Sequence, residues 1–125
     1  MMFNERQKLG RFGEMLACEY LIRRGYKIID KNYRTRGGEV DIVAKKDETI
    51  VFVEVKTRKN GNFGAPEEAI DEHKQLKICQ TVECYLQSNN ILDKEFRLDS
   101  IAIMLDVGGK KAKLRHKKDI YIDNY

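Results

Sequence analysis

No apolar run in this 125-residue chain approaches the roughly 18–20 residues a helix needs to cross a bilayer. The N-terminus is polar and charged by residue 5, so no secretory leader is expected. Cysteine is scarce: Cys18, Cys79 and Cys84 are odd in number, and no pair has zinc-site spacing. That usage points away from a disulfide framework and toward buried, reduced thiols in a cytoplasmic protein. His73 has no partner at metal-ligand spacing and reads as a non-ligand. No repeat, linker or low-complexity stretch divides the chain, so residues 1–125 are expected to form one domain.

Charge is abundant. Asp, Glu, Lys and Arg make up 35% of the chain and hydrophobic residues 42%, enough for a core. The net charge of +4 is a mild pointer to a polyanionic partner.

Residues 4–24 read as a helix. Asn4 and Gln7 fit a capping box, Leu9, Phe12, Leu16, Ala17, Tyr20 and Leu21 form an inner stripe, and Gly25 sits where a helix stops. Glu14 lies at the edge of that stripe. It is either a solvated flank carboxylate or a group aimed at another element, which Gly10 and Gly13 would allow to approach closely. Tyr26–Ile29 reads as a short strand. Residues 30–38 follow as a basic loop in which Arg34 and Arg36 lie beside Tyr33, suited to a phosphate backbone and a base or simply solvated. The Gly37-Gly38 pair is expected to turn the chain sharply into the next strand.

Residues 38–58 organise the rest. Gly38 to Ala44 and Val51 to Arg58 read as two strands joined at Lys45-Lys46-Asp47-Glu48. Period-two alternation puts Val51, Val53 and Val55 on one face of the second strand and Phe52, Glu54 and Lys56 on the other. In the first strand it groups Glu39, Asp41 and Val43 opposite Val40, Ile42 and Ala44. Glu54 and Lys56 thus sit in an apolar run, where charges are rarely buried unless paired or bound to a metal. An antiparallel neighbour can bring Asp41 beside Glu54. Two such carboxylates repel unless a cation lies between them, which is the logic of an Mg²⁺ site with a lysine nearby. Arg58 shares the Glu54 and Lys56 face if the strand continues.

A basic segment, residues 57–65, leads to Pro66-Glu67-Glu68, which resembles a helix first turn. The helix runs to about Gln87, with Leu76, Cys79, Val82 and Leu86 inward. Lys74, off that stripe, either reaches back to residues 38–58 or is solvated. Phe96–Leu105 reads as a strand containing Asp99, satisfied by backbone or by an arginine. Gly108-Gly109 makes a turn, and residues 110–122 supply a last strand rich in Lys110, Lys111, Lys113, Arg115, His116, Lys117 and Lys118. This is an edge strand protected by lysines, part of a nucleic-acid track, or both. The order α-β-β-β-α-β-β implies an α/β fold with a mixed or antiparallel sheet flanked by helices.

Gly13-Glu14, Asn32-Tyr33-Arg34, Gly38-Glu39-Val40-Asp41-Ile42-Val43-Ala44, Phe52-Val53-Glu54-Val55-Lys56-Thr57-Arg58, Phe63-Gly64 and Leu98-Asp99 together resemble the YraN-like family of bacterial proteins. That family is similar to restriction-endonuclease-like nucleases with a PD-(D/E)xK site, archaeal Holliday junction resolvases in particular. The resemblance implies a three-layer sandwich with a central mixed sheet between helices. It implies an Mg²⁺- or Mn²⁺-dependent endonuclease that hydrolyses phosphodiester bonds in DNA, including branched or damaged DNA. Asp41 and Glu54 would ligate the metal, Lys56 would orient the attacking water, and Glu14 would be an outer ligand or proton relay. Arg34, Arg36, Arg58 and Lys74 become candidate nucleic-acid contacts, and a homodimer is one option. Val40 stands where many such sites carry a proline. Two other readings compete: a nucleic-acid-binding module that keeps the fold without cutting, and a structural ion pair between Lys56 and Glu54 or Asp41.

Overall fold

The computed structural model describes residues 4–59, 72–91, 95–106, 108 and 110–120. Its elements are α1 (Glu5–Arg23), β1 (Lys27–Arg34), β2 (Glu39–Lys46), β3 (Thr49–Lys59), α2 (Glu72–Ser88), β4 (Phe96–Leu105) and β5 (Ala112–Lys117). The strands form one sheet in the order β1-β2-β3-β4-β5, with only the β3–β4 pair parallel. A helix lies on each face, giving the three-layer α/β arrangement with a mixed sheet. Pro66-Glu67-Glu68, Phe63-Gly64, Gly109 and residues 121–122 fall outside the described residues.

α1 begins as its capping residues predict. Asn4 accepts from Gln7 N at 2.8 Å, and Gln7 Oε1 accepts from Asn4 N at 3.0 Å. It ends at Gly25, whose φ of +90° only glycine adopts readily. The N–H groups of Gly25 and Tyr26 close back on Ile22 O and Leu21 O. β2 and β3 meet through a two-residue turn in which Asp47, at φ 53°, takes the left-handed position that asparagine fills in stronger hairpin signals.

Each sheet face buries a separate core. Under α1 lie Ile42, Ala44, Val51, Val53, Ile101, Ile103 and Leu105 with Ala17, Cys18 and Leu21 of the helix. Under α2 lie Val40, Val43, Ile50, Phe52 and Leu98 with Ile78, Val82 and Tyr85. The Tyr85 ring stands edge-on to Tyr33 at 4.9 Å and to Phe52 at 5.6 Å.

Several sequence expectations need correction. Residues 30–34 belong to β1, which runs past the expected Ile29 with a register shift between Ile28 and Asp30. Phe12 is 40% exposed and Leu76 44%, so neither helps form a core, whereas Ile78 and Tyr85 do. Val40 faces α2, while Ile42 and Ala44 face α1, so the face sharing expected in β2 breaks at Asp41. Gly38 is not in the left-handed region. Its small size matters instead: a Cβ there would lie 3.0 Å from Thr81 Oγ1 and 3.3 Å from Lys77 O of α2. The last strand is shorter than expected, Ala112–Lys117. His116 does not belong to its basic patch, because its side chain is 5% exposed and faces the interior.

Candidate functional site

The ladder between β2 and β3 stops at Ile42 opposite Val53, although β2 remains paired to β1 through Val40 and Glu39. The two central strands therefore part at residues 39–41 and 54–59, leaving a notch. Asp41 reaches across it: Oδ2 accepts from Val55 N at 2.7 Å, replacing the missing backbone partner. Continuing the register by one step puts Asp41 opposite Glu54. The break at Asp41 that moves Val40 to the other face is the same break that aims this carboxylate into the gap.

The electrostatics follow from that placement. Burial, reinforced by the facing Glu54, pushes the Asp41 carboxyl up to about 8. Burial also raises Glu54, with Lys74 and Lys56 opposing the rise. Lys74 of α2 sets its Nζ 3.3 Å from Glu54 Oε1. Lys56, two residues on, is half-buried on the Glu54 face. Thus the second helix does reach back to the hairpin, and Lys74 meets a carboxylate there.

α1 delivers Glu14 from the opposite face. Gly13 packs so tightly on β3 that a Cβ there would fall 1.8 Å from Thr57 Oγ1. This approach half-buries Glu14, whose carboxyl burial raises, opposed chiefly by a hydrogen bond from Asn32. With its amide turned to donate, Asn32 Nδ2 lies 3.1 Å from Glu14 Oε1 and 3.2 Å from Glu39 Oε1. Asn32 holds φ 52°, a left-handed geometry that asparagine tolerates better than most residues. The sequence carries no signal for this role of Asn32 beyond its place in the Asn-Tyr-Arg run. Arg34 Nε pairs with Glu39 Oε1 at 3.3 Å.

Asp41, Glu54, Glu14 and Glu39 thus share one electrostatic neighbourhood, with Lys56 and Lys74 beside it. Among the described residues, no group of three or more His, Cys, Asp or Glu side chains is arranged to hold a metal ion. Asp41 and Glu54 nonetheless act on each other electrostatically, each raised by burial. Arg58 sits on β3 with Nη1 donating to Thr57 O at 3.1 Å. Arg36 is exposed in the turn after β1, where Thr35 N donates to Gly38 O at 2.8 Å and Thr35 Oγ1 lies 3.2 Å from Thr81 Oγ1. That hydroxyl pair fastens the turn to α2.

A second charged cluster lies on the α1 face, away from the notch. Asp99 is fully buried and meets both an arginine and a backbone donor, together with a histidine the sequence did not announce. Arg97 Nε donates to Oδ1 at 2.9 Å, Asp119 N to Oδ1 at 3.0 Å, and His116 Nε2 lies 2.7 Å from Oδ2. Tyr20 OH meets His116 Nδ1 at 3.0 Å, and Arg97 Nη2 donates to Tyr26 OH at 2.5 Å. Burial alone would raise Asp99, but the donors from His116, Arg97 and Asp119 hold its carboxyl below the usual range. The network ties β4, β5 and the end of α1 together.

The comparisons agree on one family. The model of the uncharacterised protein family UPF0102 matches residues 13–103, from the glycine before Glu14 through β4. A UPF0102 protein of Alkaliphilus oremlandii is 45% identical, covering 92% of this chain and 98% of its own. One of Caldicellulosiruptor bescii is 44% identical, covering 92% and 98%. One of Geobacter sulfurreducens is 48% identical, covering 78% and 76%. With a match across the notch-forming strands and near full-length relatives, the chain belongs to the UPF0102 family, the YraN-like proteins.

Proposed function

We propose that the notch is the active site of a metal-dependent endonuclease that hydrolyses phosphodiester bonds in DNA. The observation that carries the reading is Asp41 facing Glu54 across parted strands, with Lys56 alongside. Two desolvated carboxylates repel, and a divalent cation removes that repulsion. The chemistry of this donor set fits Mg²⁺ or Mn²⁺, hard cations that bind through one or two carboxylates while keeping several waters. Asp41 and Glu54 would hold it, with Glu14 as an outer carboxylate. When bound, the cation would acidify a water and neutralise charge on the phosphate.

The chain's own groups supply the rest. The Lys56 ammonium offers a positive charge where negative charge grows on the phosphoryl oxygens as water adds and the ester oxygen leaves. Asn32 fixes Glu14, and Val55 N fixes Asp41, so neither carboxylate must be ordered when substrate arrives. Arg36 and Arg58 are the cations offered to the flanking backbone, while Arg34 and Lys74 must first exchange Glu39 and Glu54 for phosphate. All three cysteines are free, which supports a cytoplasmic location for this activity.

The test is cleavage of plasmid and four-way-junction DNA with Mg²⁺ or Mn²⁺ by wild type, Asp41→Ala and Lys56→Ala. Cleavage by wild type alone is expected; equal activity in all three removes the assignment. The second reading, a module that binds nucleic acid without cutting, draws support from Lys74 already neutralising Glu54. It predicts salt-sensitive DNA binding with no metal requirement and no cleavage.

A further inference from the structure

Strand register places the cations of β5 in relation to the notch. Glu54 pairs with Ser100 and Ser100 with Lys117; Lys56 with Ala102 and Ala102 with Arg115; Arg58 with Met104 and Met104 with Lys113. Directly opposed residues share a face. Phe52 and Leu98 fix that face as the α2 side, and Leu114 packs on the α1 side. Lys113, Arg115 and Lys117 therefore stand in one exposed row on the face that carries Glu54, Lys56 and Arg58. Two interstrand steps separate the rows, roughly 10 Å.

We infer that this row is a backbone-binding ladder for double-stranded nucleic acid, the outer wall of the surface that leads to the notch. Three features carry it. Alternate residues on a strand repeat every ~6.6–6.8 Å, close to the spacing of successive phosphates along one nucleic-acid strand. All three positions are cationic, while the α1-facing positions between them, Leu114 and His116, turn inward. Among the described residues, the positions paired between the two rows are Ser100, Ala102 and Met104, none of them an aromatic ring on which an unpaired base could stack. Single-strand sites rely on such rings. A surface that offers charge without stacking suits a partner whose bases already stack on one another. Edge protection alone needs lysines somewhere on β5; it does not need them on the notch side.

The inference rests on reading the notch as a nucleic-acid site, and its test avoids cleavage. Binding of a fluorescent 30-base-pair duplex and of the matching single strand is followed by anisotropy in EDTA across a salt series. Wild type is compared with Lys113→Gln/Arg115→Gln and with Arg23→Gln/Lys27→Gln, which removes equal charge from α1 and β1. Thermal melts and sedimentation check that each is folded and monodisperse. The β5 variant should weaken duplex binding roughly tenfold or more near 0.1 M salt and flatten the logarithmic salt slope by about 1.8, at ~0.9 per phosphate contact. The other variant should change little. Equal losses in both variants, a larger loss for single strand than for duplex, or no duplex binding by wild type overturns the ladder. Metal-dependent cleavage by wild type, measured separately, would leave the notch assignment standing in the first two cases.

Discussion

Gly13 and Thr57 touch so closely that the missing Cβ of one defines the seat of the other, at 1.8 Å from Oγ1 and 2.9 Å from Cβ. Gly13→Ala sets two effects against each other. Alanine in a helix interior gains about 1 kcal/mol over glycine. The clash costs more, because rotating the Thr57 hydroxyl away leaves its Cβ still too near; overpacking of this kind costs typically ~1–3 kcal/mol. A net loss of ~1–2 kcal/mol is expected in urea unfolding, with partial recovery in Gly13→Ala/Thr57→Gly. An alanine variant as stable as wild type would mean that α1 has room to spare.

Asp41→Asn tests the buried carboxyl. Its folded value lies near 8 against 3.8 for a free aspartate. Between those limits the folded chain binds a proton that the unfolded chain has released. Stability from this group is therefore highest below about pH 4 and is lost as pH rises toward 8. In EDTA, wild type should lose stability from pH 5 to pH 8 more steeply than the asparagine variant. At pH 8 the variant should be the more stable by ~2 kcal/mol, the scale of one desolvated charge. Parallel pH curves would remove the premise.

Asp99 works with the opposite sign. Its lowered carboxyl contributes stability that is present above the ordinary aspartate value and lost as pH falls through the lower folded value. Asp99→Asn leaves Arg97 and His116 facing a neutral amide and should cost ~3 kcal/mol at neutral pH. The gap between variant and wild type should narrow on acidification below pH 4. A cost under 1 kcal/mol at pH 7 would show that the network holds little of the fold.

Lys74→Met separates the energetic role of that lysine from its electrostatic one. A pair whose lysine is 47% exposed contributes at most about 1 kcal/mol, so the midpoint of unfolding should barely move. Mn²⁺ affinity, read by calorimetry, should rise several-fold because the ion no longer competes with an ammonium for Glu54. Unchanged affinity in a protein that binds Mn²⁺ would place Lys74 outside the competition.

Much of this arrangement is readable from residue order. The capping box, Gly25, the β2–β3 hairpin and the alternation of β3 follow from local rules that depend on neighbours a few residues apart. The placement of Asp41 opposite Glu54 follows from hairpin pairing. What escaped depends on long-range packing. The parting of β2 from β3 has no local signature, so Val40 is assigned to the wrong face by strict alternation. Gly38 looks like a turn residue, and only the position of α2 reveals that it yields space to Thr81. His116 is camouflaged by six Lys and Arg residues between positions 110 and 118, and its buried bond to Asp99 spans 17 residues. Leu76 reads as core by helical spacing, but α2 turns Ile78 and Tyr85 to the sheet and leaves Leu76 exposed.

The single parallel pairing, β3 with β4, has a consequence for the order of assembly. α1, β1, β2 and β3 connect through short links and close by antiparallel contacts between neighbours in sequence. β4 can join only after the chain has travelled through α2 and back, a longer loop to close. Glu14, Asp41, Glu54 and Lys56 all precede residue 60, so a ribosome delivers these notch charges within the early, local half of the fold, and only Lys74 follows with α2. The Asp99 network and the β5 ladder arrive later, as the last strands seal an edge that would otherwise stay open to other chains.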